Sequence, residues 1–189
     1  MSVHELPNYS DQAGPDRLPP QDIAAEASVL GSMLLSKDAI NEVAFLKPED
    51  FYRPNHQTIY SVIQTLSLSD NPVDAVTVAS ELTKRGELTK VGGAAYLHTL
   101  VSGVPTAANA DYYAQIVRDR AILRRLVEVG TRITQMGYSG TGEVDDIVDR
   151  AQSEVFGVNE SRSEDFKPLS EVMPVIYDEL EAMGQRKEG

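Results

Sequence analysis

The sequence predicts an all-α protein, with a small globular helical domain followed by an antiparallel helical hairpin and a linker helix. Three observations carry this expectation. No stretch alternates apolar and polar residues with β-branched enrichment, as a half-buried strand would. Apolar residues instead recur every three or four positions in one segment after another. Those segments are separated by boundary residues, with prolines and acids before them and glycines after them.

Residues 1–18 are polar and rich in turn formers, including Pro7, Gly14 and Pro15, and are expected to be a disordered tail. The first helix starts in "LPPQDIAAEASVLGSMLLS", where Asp22 and Glu26 suit the positive end of the helix dipole and Ile23, Ala27, Leu30 and Leu34 share a face. A second covers Asp38 to Leu46 through Ile40 and Val43. A third runs from Asn55 to Leu66 with Ile59, Val62 and Ile63 inward. Asp74 caps a fourth, which turns Val78 and Leu82 inward and ends at Gly86. "GGAAYLHTLVSG" supplies a fifth between Gly92 and Gly103, completing a globular part over residues 19–103.

From Ala107 to Gly137 no proline intervenes and Thr106 can cap the start, so one helix of about 31 residues is expected against a usual mean of about 12. Its first half turns Tyr113, Ile116 and Val117 inward. Its second half carries Ile122, Leu126, Val129, Ile133 and Met136 at 4-3-4-3 spacing. After "GYSGTG" a shorter helix, Glu143 to Phe156, bears the stripe Val144, Ile147, Val148, Ala151 and Val155. The two arms make a hairpin over residues 104–158. A lone pair of helices cannot bury both apolar faces, so these ten residues are the expected dimer interface, two hairpins forming a four-helix bundle. Folding back onto the protein's own core is the other arrangement.

Residues 159–189 begin with a polar linker. Beyond it, at about 170–184, lies an amphipathic helix in which Leu169, Val172, Met173, Ile176, Leu180 and Met183 share one face and Pro174 falls in the first turn. A helix of that length is marginal alone in water, so it is expected to dock in trans or on a further domain, and the ending "GQRKEG" suggests a piece of a longer protein.

The net charge of -12 argues against free binding to a phosphate backbone. Against that background "DRAILRRLVEVGTR", Asp119 to Arg132, holds four arginines. Arg118, Arg125 and Arg132 recur every seven residues and form one row along the long helix, while the opposing arm holds Glu143, Asp145, Asp146, Asp149 and Glu154. No aromatic residues interleave the arginines as single-strand stacking requires, so the row is expected to face protein rather than nucleic acid. With no cysteine, disulfide and thiolate chemistry are excluded, in keeping with a cytoplasmic address. Neither a secretory signal nor a membrane-length apolar run is present.

No catalytic, cofactor-binding or metal-binding residues are expected. The Gly-Lys dipeptide that a phosphate-binding loop needs occurs nowhere, and His4, His56 and His98 lack metal-ligand spacing. His56 reads as a packed, hydrogen-bonded histidine. A small hydrolase using Asp22, Glu26 and His56 has little to support it, because both acids are what a helix start favours.

Six blocks together resemble the N-terminal domain of bacterial replicative DNA helicases, the DnaB family. They are "PPQDIAAEASVLGSML", "DFYRPNHQTIYSVI", "PVDAVTVASEL", "VGGAAYLHTL", "VPTAANADYYAQIVRDRAILRRL" and "VFGV", and with "KPLSEVMPVIYDELE" the resemblance in order and spacing extends over roughly residues 18–185. The resemblance implies a collar of six such domains, a trimer of dimers joined through hairpins, that recruits the C-terminal helical domain of primase. A helicase loader is a further possible partner. The linker helix would dock on a neighbouring motor through Val172, Met173, Ile176, Leu180 and Met183. The motor, with its ATP, magnesium, DNA binding and 5'-3' unwinding, is not in this sequence. Primase-responsive positions would be Tyr96, Val127 and Ile133; by spacing Tyr96 and Val127 read equally well as core, and Ile133 also belongs to the hairpin stripe. The helicase-binding domain of a primase has a similar helical arrangement and is the alternative.

Overall fold

The computed structural model describes residues 18–160. The expected tail and the linker helix, with Val172, Met173, Ile176, Leu180 and Met183, lie outside the described residues. Among the described residues there are seven α-helices and no strand. The chain divides into two compact units between Glu128 and Val129.

The first unit is built around α1 (Ile23–Leu35), which packs against α2 (Lys37–Glu42), α3 (Pro54–Leu68) and α5 (Gly93–Ser102), while α4 (Ala75–Lys84) lies on α3 and α5. The Asp22 carboxylate caps α1 by accepting from Ala25 N at 2.9 Å. The core contains Val29, Leu30, Met33, Phe51, Ile59, Tyr60, Ile63, Leu82 and Leu97, so it draws on α1, α3, α4, α5 and the connection after α2. Gly31 lets α5 approach: a Cβ there would overlap the Leu100 carbonyl oxygen and lie 2.6 Å from Val104 Cγ2.

α4 starts on a reciprocal cap. Asp74 Oδ1 accepts from Val76 N and Thr77 N, each at 2.8 Å, and Thr77 Oγ1 accepts from Asp74 N at 2.9 Å. The Thr77 amide is the main reason the Asp74 carboxyl titrates below its ordinary value.

α2 stops four residues short of the expected Leu46. Val43 and Leu46 remain buried, but their carbonyl oxygens accept from the Tyr60 hydroxyl at 3.2 and 2.8 Å, and Pro48 disfavours helical backbone at Lys47. Burial is the main cause that pushes the Tyr60 phenol well above its usual value.

The long helix α6 (Ala110–Ser139) follows a single 3-10 turn, Ala107–Asn109, capped by Thr106. The boundary expected at residue 104 does not coincide with the division after Glu128, because Ala110, Ala114 and Val117 join the core of the first unit. Tyr113 and Ile116 pack against that core from its margin. In the second unit the end of α6 is followed by a turn with positive φ at Gly140 and Gly142, then by α7 (Val144–Glu160).

Candidate functional site

In the second unit α7 runs back along the end of α6. Between the two helices Arg132 meets Glu154, whose Oε2 accepts from Nη2 at 2.7 Å and from Nε at 3.1 Å. Beside it opens an apolar groove of about 430 Å³, lined by Ile133, Val148, Ala151, Gln152, Val155 and Phe156. Gln152 is the one polar side chain in that lining. Ile133, Met136, Ile147 and Ala151 are half-buried, while Val144, Val148 and Val155 are exposed. Val129 is buried. The remaining two stripe residues fall in the first unit, Ile122 half-buried and Leu126 half-exposed.

Phe156 is 72% exposed and lines the groove, yet it was not among the expected interface residues. Its signal is in the spacing, since positions 148, 152, 155 and 156 follow helical periodicity as well as the expected stripe does.

The arginine row does not act as a unit. Arg132 meets α7, but Arg125 Nη2 donates to Asp50 Oδ1 at 2.7 Å and Arg118 lies over the Phe45 ring at 5.3 Å. The expected complementarity of basic and acidic arms therefore reaches α7 through Arg132, because the first half of α6 lies on the first unit's core. Arg124 donates to the Pro20 carbonyl at 2.9 Å and to the Asp50 carbonyl at 2.5 Å, and lies over the Tyr52 ring at 5.7 Å. Burial lowers its guanidinium from the usual value, with Glu26 and Asp50 opposing.

The first unit also contains a buried polar chain that sequence reasoning did not assemble. Glu26 and His56 are 1% and 0% exposed. Glu26 Oε1 accepts from Tyr52 N at 2.6 Å, and Oε2 accepts from Arg53 N at 3.4 Å and lies 2.6 Å from His56 Nδ1. His56 Nε2 in turn lies 2.6 Å from the Tyr96 hydroxyl. Glu26 is thus more than a favourable first-turn acid, and its burial with His56 leaves neither open to a substrate. Asp22, the third residue of the hydrolase reading, is occupied in capping α1. The residues Glu26, His56 and Tyr96 stand on three helices and are far apart in sequence, so no local spacing betrays them.

Of the positions expected to respond to a partner, Val127 is 56% exposed and is not core, Ile133 lines the groove, and Tyr96 is half-buried. Among the described residues no cluster of His, Cys, Asp or Glu is arranged to hold a metal ion, and no helix is long and apolar enough to cross a membrane.

A helical body followed by a hairpin that exposes an apolar groove places the chain in the all-α class. The chain belongs to the DnaB-like helicase N-terminal domain family, whose model matches residues 18–119. It is 52% identical over 181 residues to the replicative DNA helicase DnaB of Leifsonia xyli subsp. xyli, covering 95% of this chain and 39% of that protein. To the replicative DNA helicase DnaB of Mycobacterium leprae it is 56% identical over 171 residues, covering 88% of this chain and 28% of that protein. The chain therefore spans well under half the length of these relatives. Among solved structures, the N-terminal domain of DnaB helicase from Mycobacterium tuberculosis is similar, with a TM-score of 0.72, 60% identity, and coverage of 74% of this chain and 99% of that one. A structure described as that of a DnaB-like replicative helicase and its interactions with primase aligns with a TM-score of 0.62 and 25% identity, over 85% of this chain and 35% of that one.

Proposed function

We propose that this N-terminal domain is the collar part of a hexameric replicative helicase, non-catalytic in itself, which pairs subunits through its hairpin and recruits primase. The observation that carries the reading is the apolar groove of the second unit, with Val148, Val155 and Phe156 exposed along it. Surface of that kind marks a protein contact, and two-fold pairing of hairpins covers it with a copy of itself. The primase arm draws support from the solved relative described with its primase interactions. Tyr96, Val127 and Ile133 are its candidate primase-responsive positions. The family match favours a helicase domain over the helicase-binding domain of a primase.

In this reading ATP, magnesium and DNA are handled by the rest of the helicase, and the linker helix docks on a neighbouring motor. A loader is a further partner, and the setting is the cytoplasm. The test is a calorimetric titration of the 189-residue chain with the C-terminal domain of its own organism's primase, with the mass of the complex recorded. Saturable binding at one primase per two copies is the expected result. An absence of heat and of any change in mass would sink primase recruitment. A monomeric mass at every concentration would sink pairing through the hairpin.

A further inference from the structure

The geometry points to Glu26 and His56 as positioning residues for Tyr96, holding its ring in one orientation for the primase contact; this rests on the recruitment reading above. Tyr96 is the member of the buried chain that reaches solvent. Both ends of its side chain are held. At the far end the hydroxyl is 2.6 Å from His56 Nε2, and the two rings lie nearly parallel, 9° apart with centroids at 6.0 Å. At the near end the ring lies close over bare backbone: a Cβ on Gly92 would stand 3.0 Å from Tyr96 Cβ and 3.2 Å from Cγ. Gly92 has φ 102°, a conformation that disfavours any other residue and so keeps that Cβ absent.

The histidine is itself held. Both Glu26 oxygens accept from backbone amides just before α3, which orients the carboxylate toward Nδ1. In the tautomer with Nδ1 donating to that carboxylate, Nε2 accepts from the Tyr96 hydroxyl. A buried acid–histidine pair is a poor way to stabilise a core, because apolar side chains of the same volume serve folding at least as well. What it supplies instead is a fixed hydrogen-bond partner directed at one surface side chain. A ring already held in its bound orientation loses less freedom on association.

The test compares Tyr96→Ala, Tyr96→Phe, Glu26→Gln and the double variant Glu26→Gln/Tyr96→Phe, each in the 189-residue chain. Affinity for the primase C-terminal domain is measured together with the Hα–Hβ couplings of residue 96 in chain labelled at that position. Tyr96→Phe keeps the ring and removes the tether. It is expected to weaken binding about fivefold, the scale of one lost hydrogen bond, and to turn single-rotamer couplings into averaged ones. Glu26→Gln is expected to do the same, and to add nothing in the Tyr96→Phe background.

If Tyr96→Ala weakens binding while Tyr96→Phe binds as tightly as the unaltered chain, the positioning role is overturned and the recruitment face stands. Additive losses in the double variant also overturn it, since Glu26 would then act through the fold. Should Glu26→Gln fail to fold, Tyr96→Phe and its couplings decide alone. Full affinity in Tyr96→Ala, or no binding by the unaltered chain, overturns both the positioning role and the contact on which it rests.

Discussion

Arg125 of α6 and Asp50 of the turn before α3 meet at 2.7 Å, 75 residues apart, and the same Asp50 carboxylate accepts from Lys47 N at 2.8 Å. Asp50 is 5% exposed, whereas the Arg125 side chain is 31% exposed. Removing the arginine breaks the ion pair at this buried carboxylate. Arg125→Ala is expected to destabilise the chain by about 1–2 kcal/mol, a buried-pair loss discounted for the solvent that reaches the guanidinium. Urea unfolding would check it, and a midpoint unchanged from the unaltered chain would show that the pair contributes nothing.

Gly31 is the point at which α1 and α5 come closest. Gly31→Ala gains helix propensity of about 1 kcal/mol but drives a methyl group into the Leu100 carbonyl and the Val104 side chain. Overlap with backbone is not relieved by a rotamer change, so a net loss of about 2 kcal/mol or more is expected. By contrast, Gly137 lies in the exposed part of α6 with nothing near its missing Cβ. Gly137→Ala should raise the melting temperature through propensity alone. Thermal denaturation of the two variants side by side distinguishes the effects by sign.

Asp74 carries the pH prediction. Its folded-state pKa lies below the ordinary carboxylate value because amides of the α4 cap hold the ionised form. A depressed pKa contributes stability that is complete above the unfolded-state value and is lost as pH falls through the folded-state value. That window lies below about pH 4. Asp74→Asn keeps a capping oxygen and should match the unaltered chain at pH 7 within a few tenths of a kcal/mol, while its stability falls less steeply below pH 4. Parallel acid titrations of the two chains would refute the assignment.

The hairpin groove can be tested apart from the fold. Val148 and Phe156 are 47% and 72% exposed, so charging both should leave the helical content intact. Val148→Asp with Phe156→Asp is expected to give a folded monomer by light scattering and circular dichroism. An unchanged oligomeric mass would exclude the groove as the pairing surface.

The helices were legible in the sequence because their causes are local. Asp22, Asp74 and Thr106 cap neighbours within a few residues, and three- and four-residue spacing shows which side of a helix turns inward. The same reasoning recognised His56 as a packed, hydrogen-bonded residue and drew attention to the apolar second half of α6. It extended α2 to Leu46, because nothing near Val43 in the chain announces that Tyr60 will take the carbonyls there. It also treated the arginines as one row, although Arg118, Arg125 and Arg132 meet Phe45, Asp50 and Glu154 respectively.

What local chemistry settles about this protein is that it is helical, where most of its helices begin and end, and that a long helix is followed by a shorter one bearing an apolar stripe. The six sequence blocks add its kinship. Contacts between distant segments settle the rest: that α6 begins on the first unit's core, that Arg124 and Arg125 are held by Pro20 and Asp50, and that Glu26, His56 and Tyr96 form one chain. The reason is that a cap or an apolar stripe is defined within one helix. A buried carboxylate finds its partner only when three helices have packed, and sequence spacing carries no record of that meeting.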